Sequence, residues 1–325
     1  MDPRPVGVFD SGVGGLTVLH ECLVTSPHED FVYLGDHARL PYGPRPLAEV
    51  RLFAREIGAY LEAQGVKLIL AACNTATSAA LPELQEGLEV PVVGVITPEA
   101  HAAVQATRNR RIGLLATEST VEAARYARLV HELDAGVEFF PVACPRLVPL
   151  IESDDPFRAE TTEAVREYAE SLKAAGVDTV ILGCTHYPLI RPIFQRVFGR
   201  DVTLVFSAEE TAREVAETLA RKGIENDDGR EGTYRFLTTG DPVAFRKMGA
   251  RFLQLPIAEV ERVSLDALRA AAAGAGPAPD FAGQSPASPV PASAGGAALS
   301  GPVLRRTVAS GAAAPAEAPA PADTA

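Results

Sequence analysis

Two cysteines of this sequence lie in local sequences that align without a gap. Cys73 follows the aliphatic run of GVKLILAACNT, and Cys184 holds the same place in GVDTVILGCTH. A thiolate accepts a proton and a thiol donates one, so either group can act in acid–base or nucleophilic chemistry. Two such groups on opposite sides of one carbon atom could remove a proton from one face and deliver one to the other. That arrangement would invert a stereocentre.

The residues around the two cysteines are typical of a ligand site at the end of a sheet. Each aliphatic run is predicted to be a strand that leads into a helix, and α/β proteins bind ligands beyond the carboxyl ends of such strands. A helix N-terminus there stabilises a thiolate or a carboxylate. The polar residues that follow the cysteines, Asn74, Thr75, Thr185 and His186, are therefore candidates for binding a polar ligand. Inert burial is the plain alternative for a single cysteine, but it does not account for two matched positions.

Two loops after predicted strands carry further candidates. FDSGVGGLTVL lacks the G-K-[ST] ending of a phosphate-binding loop and the pattern G-x-G-x-x-G. Its glycines are expected to form a tight turn that directs Asp10 and Ser11 into a cleft. YLGDHARLPYG is expected to place Tyr42 and Gly43 on a rigid loop whose backbone reaches a ligand. Asp36 in the same stretch is either a carboxylate of the site or a cap of the following turn.

Apolar strands alternate with amphipathic segments along most of the chain, which is typical of a parallel, doubly wound α/β fold. The predicted strands are PVGVFD, DFVYLG, VKLILAA, VPVVGVI, RIGLLAT, VEFFPVA, VDTVILG and DVTLVFS. Helices are predicted over 47–64, 118–132, 158–175, 208–220 and 242–252, and a hairpin is predicted in GTYRFLTTGD.

The cysteine strands belong to a longer repeat, since VGVFDSG and IGLLATE look like equivalent first strands. We therefore expect two similar α/β domains that face each other across a central cleft. The first would comprise residues 1–97 and 208–264 and carry Asp10 and Cys73, and the second would comprise residues 98–207 and carry Cys184. The boundary is placed at ITPE because proline interrupts regular structure.

Composition sets the class of protein. The net charge of −12 and the pI near 5.1 argue against a nucleic-acid partner. No run reaches the ~18 apolar residues that span a bilayer, and the N-terminus has no signal-peptide pattern, so a cytoplasmic protein without a membrane partner is expected. The four cysteines form no C-x-x-C pair, so neither a metal nor a disulfide framework is predicted. From 265 to 325 the chain is rich in Ala, Pro, Gly and Ser, which predicts a disordered tail that is dispensable for chemistry.

Six fragments, in order from about residue 5 to 255, resemble the glutamate racemases of the cofactor-independent amino-acid racemase superfamily. They are FDSGVGGL, GDHARLPYG, AACNTAT, LGCTHYPL, FSAEETAREV and TGDPVAFRKMGARFL. The resemblance implies two α/β domains that enclose glutamate, interconversion of its L and D forms without a cofactor or metal, and supply of D-glutamate for peptidoglycan. It also implies a homodimer.

The resemblance further implies a role for individual residues. Cys73 would act on the proton of D-glutamate and Cys184 on that of L-glutamate, assisted by Asp10 and His186, with Glu152 orienting the histidine. The implied substrate-binding positions are Asp10, Ser11, Tyr42, Gly43, Asn74, Thr75, Thr185 and His186, joined by Thr117 and Thr120 from a turn like the family's Gly-Thr-x-x-Thr. The sequence departs from the family pattern at Ala116 and Glu99, where the family usually or often has glycine.

Three other functions remain open from the sequence. The first is an aspartate racemase of the same superfamily, although the CNT, CTH and PYG motifs favour glutamate. The second is a thiol hydrolase or decarboxylase that uses one cysteine. The third is a protein that binds an amino acid without any catalysis.

Overall fold

The structure is a computed structural model that describes residues 2–226 and 228–274. Its strands are β1 (Val6–Asp10), β2 (Phe31–Gly35), β3 (Leu68–Ala71), β4 (Val92–Gly94), β5 (Arg111–Ala116), β6 (Glu138–Ala143), β7 (Thr179–Gly183), β8 (Thr203–Phe206), β9 (Tyr234–Thr238) and β10 (Glu261–Arg262). Its helices are α1 (Leu16–Thr25), α2 (Leu47–Ala63), α3 (Asn74–Gly87), α4 (Ile96–Ala106), α5 (Glu118–Glu122), α6 (Arg125–Leu133), α7 (Leu147–Glu152), α8 (Ala159–Ala174), α9 (Arg191–Phe198), α10 (Ser207–Lys222), α11 (Pro242–Leu253) and α12 (Leu265–Ala272). Short 3-10 turns cover His37–Arg39 and Tyr187–Ile190.

In the described part of the chain the strands form two parallel sheets. The first has the order β10-β9-β2-β1-β3-β4 and the second has the order β6-β5-β7-β8. The first strand of each half lies between the second and the third, and the fourth follows the third. The two sheets therefore share one topology, and the first is extended by β9 and β10. This confirms the α/β class with two similar halves, and each predicted strand is present.

The central strands are apolar along their length because helices cover both faces of each sheet there. Every residue of β1, β3 and β7 is buried. Helix α2 buries Val50, Ala54, Ile57 and Leu61, which recur at the spacing of one helix face. Such faces hold the sheets rigid, and rigid sheets fix the positions of the strand ends that carry the candidate residues.

The chain returns to the first sheet after β8. Helix α10 follows β8 and packs against α1 and α4, after which β9 pairs with β2. This route agrees with a first sheet built from residues before 97 and after 208, and with a second sheet built from residues 98–207. The division into domains at those residues stays a prediction. Within the described residues, no helix is both long and apolar enough to cross a membrane.

The predicted hairpin in GTYRFLTTGD is wrong. Tyr234–Thr238 forms the single strand β9, which lies parallel to β2 on one side and to β10 on the other. Helix α11 follows β9 and carries the chain back, so that β10 pairs in the parallel direction. Antiparallel partners can follow a tight turn, whereas parallel partners need such a crossover.

Proline does not interrupt regular structure at ITPE. Pro98 lies in the first turn of α4, which begins at Ile96. A proline is tolerated in the first turn because the N–H group that it lacks would have no partner within the helix.

The predicted start of disorder at residue 265 is also wrong. Leu265–Ala272 forms α12, whose Ser264 cap accepts a hydrogen bond from the N–H of Ala267. Leu268 is fully buried, and α12 packs against α2. One buried face is enough to order this short helix despite its alanine-rich sequence. Residues 275–325 of the predicted tail lie outside the described residues.

Candidate active site

The predicted site residues meet at the carboxyl ends of neighbouring strands. Asp10 ends β1 and Cys73 follows β3, and these strands pair with Phe9 opposite Ala71. In the second sheet Thr117 follows β5 and Cys184 follows β7, which are paired likewise. Because β1 and β5 occupy equivalent places in the two sheets, each half presents the same kind of edge.

Cys73 lies at the N-cap of α3. Its Sγ accepts a hydrogen bond from the N–H of Ala76 at 3.5 Å, and its residue is 5% exposed. Burial and then the nearby Asp10 carboxylate raise the pKa of Cys73 well above the ordinary thiol value, while the N–H groups of Ala76 and Ser11 act in the opposite direction. Cys73 is therefore held as a thiol, which is a proton donor.

Asp10 forms the floor of the turn between β1 and α1. Its Oδ2 accepts hydrogen bonds from the N–H groups of Gly12 at 3.1 Å and Gly15 at 3.0 Å. Its Oδ1 is buried and has no hydrogen-bond partner among the described residues. The carboxylate is thus fixed by one oxygen, and the other remains available to a ligand. Ser11 follows it and is also buried.

A second cluster surrounds Cys184. His186 lies with Nδ1 at 3.7 Å from Cys184 Sγ and Nε2 at 2.9 Å from Glu152 Oε1. Burial would lower the pKa of His186, but the hydrogen bonds to Cys184 and Glu152 outweigh it and hold the pKa well above the usual imidazole value. The imidazolium then donates to both partners. Cys184 thus has a charged hydrogen-bond donor beside it, whereas Cys73 has the Asp10 carboxylate.

Helix α11 of the first half braces the histidine cluster. The Phe252 ring lies edge-on to His186, with 5.2 Å between centroids and 74° between planes. Arg251 Nη1 donates to the carbonyl of Ser153 at 3.1 Å, directly after Glu152. Burial acts to raise the pKa of Glu152, but the hydrogen bond with His186 holds it below the usual carboxyl value.

The two halves touch beside the cysteines. The hydroxyl of Thr17 donates to the carbonyl of Thr185 at 2.9 Å. A Cβ placed on Gly14 would lie 2.4 Å from His186 Nδ1, closer than any real Cβ contact. The charge of Cys184 also contributes to the raised pKa of Cys73. Both cysteines therefore lie in one buried region where the two halves touch.

Hydroxyl groups line the same region. Thr75 Oγ1 lies 2.9 Å from Thr117 Oγ1, and Thr117 Oγ1 lies 2.9 Å from Thr120 Oγ1. The carbonyl of Gly43 accepts hydrogen bonds from the N–H of Ser119 at 3.0 Å and from its hydroxyl at 2.7 Å. The Thr117–Thr120 turn is thus a helix cap that draws α5 onto the PYG loop, although Ala116 replaces the family's glycine there.

Tyr42 is anchored by a buried ionic network. Its hydroxyl donates to Asp36, which also accepts from Arg39 Nε at 2.6 Å, and Arg39 pairs with Glu56. Thr239 Oγ1 donates to the other Asp36 oxygen at 2.8 Å. The Asp36 side chain therefore anchors the loop. This contact matches neither of the two roles that the sequence left open, a carboxylate of the site or a cap of the following turn.

Sequence reasoning missed a second buried network. Glu99 is fully buried and accepts hydrogen bonds from Asn74 and Tyr126. Burial raises the pKa of Glu99 to about 8, while the hydrogen bonds from Tyr126 and Asn74 act to lower it. The departure from the family pattern at Glu99 was a usable signal. Tyr126 gave none, because it lies on α6, outside every motif that the sequence offered.

The remaining cysteines are buried thiols. Burial raises the pKa of Cys22 to about 12 and raises that of Cys144 as well. In residues 2–226 and 228–274, no group of three or more His, Cys, Asp or Glu side chains could hold a metal ion.

Comparison with known proteins gives consistent similarities. The family model described as "Asp/Glu/Hydantoin racemase" matches residues 17–215. The glutamate racemase of Carnobacterium sp. (strain St2) is 42% identical over 267 residues, which are 82% of this chain and 100% of the relative. A solved glutamate racemase isoform from Bacillus anthracis is 40% identical, with a TM-score of 0.78 over 82% of this chain and 99% of that chain. The Francisella tularensis glutamate racemase, solved in complex with D-glutamate, is 32% identical with a TM-score of 0.77 over 82% of this chain and 99% of that chain.

Proposed function

The chain belongs to the Asp/Glu/hydantoin racemase family and is an isomerase, and on this premise we propose that it interconverts L- and D-glutamate by proton transfer between two cysteines. The D-glutamate would supply peptidoglycan biosynthesis. The observation that carries the mechanism is the matched placement of Cys73 and Cys184 with opposite neighbours, a carboxylate beside one and an imidazolium beside the other.

The pattern of unpaired atoms supports an amino acid as the substrate. Asp10 Oδ1 and Asn74 Oδ1 are buried acceptors with no partner among the described residues, and a substrate ammonium group would supply their missing hydrogen bonds. Ser11 and the hydroxyls of Thr75 and Thr117 would donate to carboxylate oxygens. Glutamate is proposed over aspartate because the similar proteins named above are glutamate racemases.

Each direction of the reaction uses one cysteine as the base and the other as the acid. In the L to D direction, the Cys184 thiolate beside the His186 imidazolium takes the α-proton from one face. The Cys73 thiol then delivers its proton to the opposite face. In the D to L direction the roles exchange, as microscopic reversibility requires. Glu152 acts through His186 by keeping the imidazole charged and oriented.

The α-proton of an amino acid is weakly acidic, so the site must stabilise the developing carbanion. Hydroxyl and backbone N–H donors around the α-carboxylate can stabilise the negative charge that moves onto its oxygens. Burial of both cysteines excludes water and strengthens these interactions. These features serve proton transfer without a cofactor.

Deuterium exchange tests the proposal. The intact protein in heavy water is expected to exchange the α-hydrogen of both glutamate enantiomers and to invert them, which proton NMR and circular dichroism follow. Cys73→Ala and Cys184→Ala should each lower kcat for racemisation by at least about 100-fold, because each removes an obligatory acid or base.

The rival functions give different outcomes in the same experiment. A thiol hydrolase or decarboxylase would keep its activity when one of the two cysteines is replaced. A binding protein would bind glutamate and leave its α-hydrogen unexchanged. Faster inversion of aspartate than of glutamate would contradict the proposed substrate.

We also propose that the protein is a cytoplasmic homodimer, since the resemblance in sequence implies one. Sedimentation equilibrium on the full chain measures its mass in solution. A mass of one chain at all concentrations would contradict the dimer without affecting the proposed chemistry.

A further inference from the structure

Glu99 occupies an unusual place for a glutamate. It lies in the first turn of α4, it is 0% exposed, and it contacts the residue directly after Cys73. Asn74 Nδ2 donates to Glu99 Oε2 at 2.9 Å and to the Tyr126 hydroxyl at 2.7 Å. The Tyr126 hydroxyl in turn donates to Glu99 Oε2. Each of the two amide hydrogens of Asn74 thus has an acceptor.

These contacts determine which end of the Asn74 amide is left free. Glu99 Oε2 already accepts from the Tyr126 hydroxyl, so it is an acceptor both in the carboxylate and in an acid protonated on Oε1, and it cannot pair with an amide oxygen. The amide nitrogen must therefore face Glu99, and the Oδ1 atom must face away. That Oδ1 is buried and without a partner among the described residues. Without the carboxylate, the Tyr126 hydroxyl could donate to Oδ1 as readily as accept from Nδ2.

The network also reaches the second cysteine strand. A Cβ placed on Gly183 would lie 3.2 Å from the ring and from the hydroxyl of Tyr126. Gly183 directly precedes Cys184, and Asn74 directly follows Cys73. Glu99 and Tyr126 therefore form a network that contacts residues next to both cysteines.

We propose that Glu99 is a positioning residue that fixes the Asn74 amide with its oxygen toward the substrate ammonium group. This role rests on the proposed function, because it requires an amino-acid substrate. Glu99 does not contact the reacting atoms. By fixing the amide, Glu99 places the acceptor Oδ1 of Asn74, and not the donor Nδ2, at the point where the substrate carries its positive charge.

Glu99→Gln separates this role from a merely structural one. Glutamine preserves the volume but offers a donor and an acceptor, so it no longer dictates the Asn74 orientation. The probes are D-glutamate and glutarate, a dicarboxylate of the same length that lacks the ammonium group, titrated by ligand-observed NMR at pH 9, above the pKa of about 8 at which Glu99 ionises. We expect E99Q to weaken D-glutamate binding about tenfold and to change glutarate binding by less than about twofold.

Two further variants provide controls. Tyr126→Phe keeps the carboxylate acceptor, so the ratio of D-glutamate to glutarate affinity should stay at the parent value. Glu99→Leu removes the acceptor without adding a donor, and it should reproduce the selective loss even if E99Q fails to fold. Thermal unfolding checks that each variant is folded.

The contradicting outcomes are distinct. Equal loss of both ligands in the folded Glu99 variants, or no loss of either, would overturn the positioning role. A parent protein that binds D-glutamate with Glu99-dependent selectivity but does not racemise it would contradict the proposed function alone. A parent protein that binds no D-glutamate would overturn both.

Discussion

At the scale of single residues, two identical side chains have neighbours of opposite charge. Cys73 is buried beside the Asp10 carboxylate, and both effects favour the neutral thiol. Cys184 is equally buried but lies 3.7 Å from the Nδ1 atom of His186, whose pKa is held well above the usual imidazole value by its hydrogen bonds to Cys184 and Glu152. Enzymes generally separate acid and base roles by such differences in environment. The repeat supplies the two cysteines, and positions at which its two copies differ, such as Asp10 and His186, make their surroundings unequal.

The ionisation of Glu99 gives a prediction about stability and pH. Its pKa is about 8 in the folded chain, above the ordinary 4.5 of the unfolded chain. A raised pKa means that the contribution of the protonated form to stability is fully present below about pH 4.5 and is lost as the pH rises through about 8. Glutamine does not ionise, so Glu99→Gln should gain stability relative to the parent across that window. The gain could reach about 5 kcal/mol at about 1.4 kcal/mol per pKa unit.

Urea unfolding at several pH values measures this difference. The prediction concerns how the difference in free energy of unfolding between E99Q and the parent changes with pH. The part of that difference that does not change with pH tests nothing. Glu217→Gln, an exposed glutamate of α10, controls for the loss of one surface charge. A difference between E99Q and the parent that stays flat from pH 4.5 to 8 would show that Glu99 is not shifted as its burial requires.

At the scale of elements, the turn between β1 and α1 sets the distance between the halves at the site. Gly14 in this turn lies against the second cluster, where a Cβ would be 2.4 Å from His186 Nδ1 and 2.6 Å from Thr185 Oγ1. His186 is hydrogen-bonded through both ring nitrogens and cannot move aside without breaking a contact. Glycine is required here by close approach between elements.

Gly14→Ala tests that requirement. We expect kcat/KM for glutamate to fall about 100-fold, because a displacement of His186 by less than 1 Å disturbs the aligned groups. Gly87→Ala is the matched control, since Gly87 ends α3 and a Cβ there would meet no described atom within 4 Å. The control should retain parent activity. Parent-level kcat/KM in Gly14→Ala would mean that the two halves do not touch so closely in solution.

The same scale explains what the sequence could predict. Strands such as β3 and β7 are recognisable because burial on both faces demands continuous apolar runs, and the cysteines follow them directly. Strand direction is not encoded locally, so β9 was mistaken for part of a hairpin. The contact of Glu99 with Asn74 and Tyr126 joins three different helices, and only the packed fold brings their side chains together.

At the scale of the whole molecule, the chain is longer than the proteins that it resembles. The match to the Carnobacterium relative covers 100% of that protein but only 82% of this chain. The described residues continue to 274, and the last of them form α12, which lies on α2 with Leu268 buried. The functional boundary should therefore fall after α12, and not at residue 265 where the composition changes.

Two truncations locate that boundary. A chain that ends after Gly274 keeps α12, so its kcat/KM and free energy of unfolding should stay within about twofold and ±0.5 kcal/mol of the parent. A chain that ends after Ser264 uncovers the face of α2 that packs on Leu268, and it should lose about 2–3 kcal/mol, the value of one buried leucine side chain. Urea unfolding and glutamate racemisation measure both. Equal stability of the two truncated chains would mean that α12 contributes nothing to the fold, and loss of activity in the longer one would place a catalytic role beyond residue 274.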